Sequence, residues 1–100
     1  MRPIITTLLV LLPLALPAAL AAAQQPQDEL VRRLSVRHCG RLIWQFDSAA
    51  RRLVLNPNLE DARARRTQAE RLCNRGNPVR GIEMLEAALF DIGINPLPRP

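Results

Sequence analysis

Three side chains in this sequence have the chemistry to hold a metal, carry electrons or attack an electrophile. They are His38 and Cys39, adjacent in the stretch VRHCGRLIW, and Cys73. As one imidazole and two thiols they are the beginnings of a zinc site. Neighbouring helical positions diverge by about 100°, however, so His38 and Cys39 do not converge easily on one ion. As a redox pair they lack the Cys-x-x-Cys spacing of thiol exchange, and no Cys-x-x-Cys-His marks haem attachment. A His38–Cys39 dyad would need a free thiolate. The remaining possibility is a structural disulfide between Cys39 and Cys73, and its geometry depends on the elements that carry them.

The start of the chain bears on compartment. Arg2 is the one charge before Asp28. An apolar run from Ile4 to Leu16 follows, then small residues ending Ala21-Ala22-Ala23. A basic start, a short apolar core and an A-x-A end are the parts of a secretory signal peptide. Pro13 and Pro17 interrupt the run, and it is short against the about 20 apolar residues that a bilayer needs. The expectation is cleavage after Ala23, giving a periplasmic or secreted protein in which disulfides are permitted. The signal segment is then 1–23, followed by a polar, disordered leader at 24–27. What remains is one small domain. A chain of that size hides only about 60% of its unfolded surface, so a covalent staple would matter to it.

From Asp28 the apolar residues Val36, Cys39, Leu42, Ile43, Phe46, Ala49, Ala50 and Leu53 recur at three- and four-residue steps, one face of an amphipathic helix. Leu30 and Leu34 fall off that face, which suggests a bend or restart near Ser35 to Gly40. Asn56-Pro57-Asn58 ends this helix, and Asn58 suits the N-cap of the next, with Glu60 and Asp61 in its opening turn. Gly76 is placed for a left-handed C-cap and Asn77-Pro78 starts a third helix. That helix carries Val79, Ile82, Leu85, Ala88, Leu89 and Ile92 at helical spacing, and Gly93 ends it. The spacing predicts helices over about 28–55, 58–75 and 78–92 within a helical domain at 28–93. The Pro-rich tail 94–100 should be extended. The fold class is all-α: a three-helix domain built on an antiparallel helical hairpin.

Cys39 and Cys73 are equidistant in sequence from Asn56. If the first two helices fold back about that turn, both sulfurs lie about 25 Å from the bend at 1.5 Å rise per residue. Both also belong to apolar stripes. Equal height and facing stripes suit a bridge with Cα atoms about 5.5–6 Å apart. The disulfide is therefore the expected role of both cysteines, and His38 is expected at the edge of the hairpin core or hydrogen-bonded at the surface. The alternative is a periplasmic thiol-redox or metal-binding protein using Cys39, Cys73 and His38.

All fourteen basic residues are arginine, and the formal net charge is +5, one less without Arg2. A positive balance keeps a small protein soluble and favours anionic partners. Arg37, Arg41, Trp44 and Arg51, with Arg33, group on the side of the first helix away from Cys39 and Phe46. Arginine and tryptophan are enriched at binding hot spots. A tryptophan is also usually well buried, so the third helix or flanking arginines could equally cover Trp44. Arg63, Arg65, Arg66, Arg71 and Arg75 make the second helix basic, and Glu83, Glu86 and Asp91 on the third could pair with part of that charge. No Gly-rich phosphate loop occurs, and five of the nine acids sit near helix starts or opposite arginines, so no catalytic pair, metal site or cofactor is expected. The segment AERLCNRGNPVRGIEMLEAAL, Ala69 to Leu89, resembles the helix-turn-helix of tetratricopeptide-type repeats in its small residues and turn glycine. It lacks most of that motif's large residues, and the resemblance implies a packed helical pair. The functional expectation is a binding or structural interaction module. Its partner would be a periplasmic or envelope protein with an acidic surface. An anionic lipid surface is the alternative ligand for the Arg/Trp face, and nucleic acid fits poorly with export and so few aromatics.

Overall fold

The computed structural model describes the backbone from Arg2 and the side chains from Gln27 to Pro100. The chain is helical, with α1 at Arg2–Arg52, α2 at Leu59–Asn74 and α3 at Pro78–Asp91, and no strand occurs among the described residues. It divides into two compact units, Met1–Val31 and Arg32–Pro100. The description below concerns the second. The side chains of the expected signal segment 1–23 and of all but the last residue of the leader 24–27 lie outside the described residues; the backbone of 24–27, expected to be disordered, is part of α1, which stops at Arg52 and not at 55. The ends of α2 and α3 agree with the predicted boundaries to within the fraying of a helix terminus.

α1 does not restart at Ser35 to Gly40. Helix continues through this stretch, and a Cβ on Gly40 would meet nothing within 4 Å. The glycine therefore costs only intrinsic propensity. Most of the predicted face of α1 is buried: Cys39, Leu42, Phe46, Ala49 and Ala50 join the core, but Val36, assigned to that face, is exposed, as is Leu34, which falls off it. α2 contributes mainly small residues, Ala62, Ala69 and Cys73, with Leu59. α3 supplies the larger ones, Ile82, Leu85 and Leu89, with Ala88. Fully burying a leucine or phenylalanine stabilises by about 1.5–3 kcal/mol, so Leu42, Phe46, Leu85 and Leu89 carry much of this core.

Cys39 and Cys73 form a disulfide with their Cα atoms 6.4 Å apart. The Pro78 carbonyl oxygen lies 3.4 Å from Cys39 Sγ. The oxidised sulfur has no proton to donate, so this is a contact and not a hydrogen bond. Gly81 completes the junction. A Cβ there would collide with Cys73 Sγ and stand 3.0 Å from the Ala69 carbonyl oxygen and 3.3 Å from the Cys73 nitrogen. α3 thus meets the backbone of α2, and only a residue without a side chain permits that approach.

The helix ends differ in part from expectation. Gly76 and Gly93 both have positive φ, at 88° and 81°. Each closes a Schellman-type C-terminus: Asn77 N–H donates to Leu72 O, and Ile94 N–H to Leu89 O, both at 2.9 Å. Asn58, expected to cap α2 with its side chain, makes no such bond. Its Nδ2 instead donates to Asp91 O at 2.9 Å, and Asn56 Nδ2 donates to Ile92 O at 3.4 Å. The two asparagines of the turn therefore serve the carbonyls at the end of α3, which have no partner within their own helix.

Candidate functional site

The arginine–tryptophan face lies on α1. Arg37, Arg41, Trp44 and Arg51 are all exposed, and Trp44 retains 68% of its surface. Neither α3 nor the flanking arginines cover the indole, so its burial, the other outcome open from sequence, does not occur. By helical spacing Arg37, Trp44 and Arg51 follow one stripe, with Arg41 to one side of it. The same α1 segment buries Phe46 and Leu42 on its other side, which fixes the stripe outward.

Arg51 continues this face into a groove of about 300 Å³ lined by Phe46, Asp47, Ala50, Arg51, Arg63, Arg66 and Thr67. Arg66 is committed there. Its Nε and Nη2 donate to the two carboxylate oxygens of Asp47 at 3.0 and 2.8 Å, and its Nη1 to Glu70. The hydrogen bond to Asp47 raises the guanidinium pKa further above its ordinary value. Arg65 pairs with Asp91, so part of the α2 charge does pair with α3 as expected. Another part pairs with α1 through Asp47.

His38 is decided between its two expected places. It is buried beside the core residue Cys39 and is not satisfied at the surface. It is 2% exposed, and neither ring nitrogen has a hydrogen-bond partner. Burial lowers its pKa below 6.5; Glu86 opposes the shift, and Arg41 and Arg99 add to it. The ring lines a cavity of about 70 Å³ with Leu34, Arg37, Arg41 and Pro100. The reason is the tail, which runs back along α1. Gln45 holds it by both ends of one amide: Nε2 donates to Asn95 O at 2.8 Å and Oε1 accepts from Leu97 N–H at 2.9 Å. Arg99 then makes a two-point pair with Glu86 of α3, at 3.1 and 2.6 Å.

The disulfide commits both sulfurs to one bond. Among the described residues, no group of three or more His, Cys, Asp or Glu side chains is arranged to hold a metal ion. Among them, too, no helix is long and apolar enough to cross a membrane. No family model matches the chain, and neither a curated protein nor a solved structure is detectably similar to it.

Proposed function

We propose that this chain is a small exported helical binding module. Its signal peptide ends near Ala23, and its α1 face contacts an acidic surface on a periplasmic or envelope partner. Arg37, Arg41, Trp44 and Arg51 form that contact, and the molecule acts by binding and not by catalysis. The observation that carries this reading is the indole of Trp44, 68% exposed among arginines. A large apolar ring left in water gains contact area only when something covers it, and tryptophan and arginine are both enriched at binding hot spots. In this reading α1 and α2 form the antiparallel hairpin that holds the face rigid. Two ties support it, the Cys39–Cys73 bond and the Asp47–Arg66 pair. They join residues that step forward along α1 and backward along α2.

The test is capture of partners from the native envelope by wild type, Trp44→Ala and the Arg37→Ala, Arg41→Ala pair. Trp44→Ala should abolish most capture while leaving helical circular dichroism and the unfolding midpoint within about 0.5 kcal/mol, as for an ordinary surface change. The arginine pair should weaken it in a way that raised salt reproduces in wild type, since exposed charges are screened within about 8–10 Å. Undiminished capture by Trp44→Ala refutes the face. Sedimentation with anionic vesicles and not with protein would move the reading to a lipid surface. Intact mass of the exported protein checks the cleavage site.

A further inference from the structure

One row of positions on α1 keeps a regular step. Leu34, Arg37, Arg41, Trp44, Ser48 and Arg51 follow one another at intervals of three, four, three, four and three residues. That is the spacing of a helix–helix seam, in which every seventh residue returns to nearly the same line. α1 is uninterrupted through this row, which extends about 26 Å at 1.5 Å rise per residue. Ser48 is half-buried and the other five are exposed. No position in the row is acidic, and its three arginines make no ion pair or hydrogen bond among the described residues. Both flanks are already taken. On one side Gln45, turned about 100° from Trp44, holds the tail at Asn95 and Leu97. On the other Asp47, about 60° away, is engaged through both carboxylate oxygens by Arg66 of α2. A narrow strip along α1 stays bare between them. Pro100 lies beside Arg37 and Arg41, so those two meet a ligand at the edge of the tail, while Trp44 and Arg51 meet it in the open.

We propose that this strip is the seat of a single acidic α-helix of the partner, laid along α1 in three–four register. The proposal rests on the acidic-partner reading above and gives that partner a shape. Helices packed along such a row cross at about 20°, so contact is kept over several turns. A helix presents its own carboxylates at the same three- and four-residue steps, so one face can answer Arg37, Arg41 and Arg51 together. Each guanidinium offers parallel N–H donors that match the two oxygens of a carboxylate. A small residue opposite Trp44 lets the indole lie against the partner helix, as a large knob needs a hole. Ser48, the small member of the row, leaves room for a larger partner side chain at the next contact. Charge then selects the partner and fixes its register, and covering Trp44 supplies the contact area.

Trp44 is the sole tryptophan of the chain, so its emission reports whether it is covered. The probe is a synthetic helical peptide of three heptads without tryptophan. It carries glutamate at the a and d positions of its outer heptads and alanine at those of the central one. The control peptide has the same composition with its glutamates dispersed around the helix. The expected result is a saturable blue shift of Trp44 emission with the heptad peptide, and binding weaker by about tenfold or more with the dispersed one. Ser48→Glu puts an acid into the row and should weaken the heptad peptide about tenfold or more by like-charge repulsion. Arg51→Gln, a change at an exposed position, repeats that test if Ser48→Glu does not fold. Arg71→Glu, exposed on α2, alters the net charge twice as much as Ser48→Glu. It should leave binding nearly unchanged, since exposed charges off the row are screened within about 8–10 Å. Circular dichroism verifies that each variant is folded. Equal binding of the two peptides overturns the helix and leaves an acidic partner standing. No shift with either peptide at hundreds of micromolar overturns the helix too, whatever the envelope capture by Trp44→Ala shows. A shift with anionic vesicles and with neither peptide overturns it in favour of a lipid surface.

Discussion

His38 and Cys39 are neighbours on α1, yet they face two seams of opposite character. On the Cys39 side the contact is dry and covalent. Cys39 bonds Cys73, and the α2 backbone at Ala69 and Cys73 lies against Gly81 of α3. On the His38 side the cover is an extended tail. It is held by one glutamine amide and one ion pair, and it closes over an imidazole with no partner. The difference follows from what each seam can bury. Helices bring their hydrogen bonds with them and can press apolar faces together. A Pro-rich segment makes few bonds of its own and must borrow acceptors and donors from side chains. The first seam should therefore unfold with the whole domain, and the second should open locally at lower free energy.

The largest effect expected is loss of the staple. Reduction, or paired Cys39→Ser and Cys73→Ser replacement, removes a cross-link that closes a sequence separation of 34 residues. The loop entropy released into the unfolded state is worth about 3–4 kcal/mol. For a domain this small that corresponds to a melting temperature lower by roughly 12 °C or more. Urea denaturation with and without reductant measures it. An unchanged midpoint would mean that the dry seam does not depend on its covalent bond.

A smaller effect separates two glycines that are both inside helices. Gly81→Ala should cost about 1–3 kcal/mol, because the new methyl must push α3 off Cys73 and Ala69. That is a net loss despite the propensity gained. Gly40→Ala should do the reverse and stabilise by about 0.5–1 kcal/mol, since its Cβ would enter open space. The two changes are chemically identical, so equal effects in a denaturation series would remove the close approach as a cause.

Those two glycines also show where sequence reasoning stops. The helices were legible because Asn-Pro and glycine punctuate them, and the disulfide was legible because both cysteines lie equally far from Asn56. Gly81 was not, because a mid-helix glycine reads as weak propensity until another backbone is known to cross it. The small residues Ala69 and Cys73 opposite were the available signal. Asn58 looked like a cap for the helix it precedes. Its side chain turned to Asp91 because the end of α3 comes close, a meeting that no local pattern records. Trp44 had two possible environments, and its exposure depends on where α3 packs. The cover over His38 was illegible for a related reason. It comes from residues near Pro100, far along the chain, and a tail that reads as extended carries no sign of where it lies down.

The smallest predicted effect tests the tail seam directly, through acid. Burial holds the His38 pKa below its unfolded value of 6.5. Between those two values the unfolded chain takes up a proton that the folded chain does not. Stability contributed by the neutral ring is thus complete above 6.5, falls as pH drops toward the folded pKa, and changes no further below it. His38→Leu should flatten this part of the profile. It should also be neutral or stabilising at pH near 8, since an apolar side chain of similar size replaces a buried ring whose nitrogens had no partners. Other carboxylates contribute their own acid dependence to both proteins, so the informative quantity is the difference between the two unfolding curves across pH about 5–8. Glu86→Gln supplies the opposite perturbation. Removing the one group that favours the imidazolium should lower the His38 pKa further, and it also frees Arg99 from its latch. Amide exchange at Leu97 should then rise while core amides of α3 remain protected. If His38→Leu keeps the full acid sensitivity of wild type, the sensitivity belongs elsewhere and the tail seam is not the weaker of the two under acid.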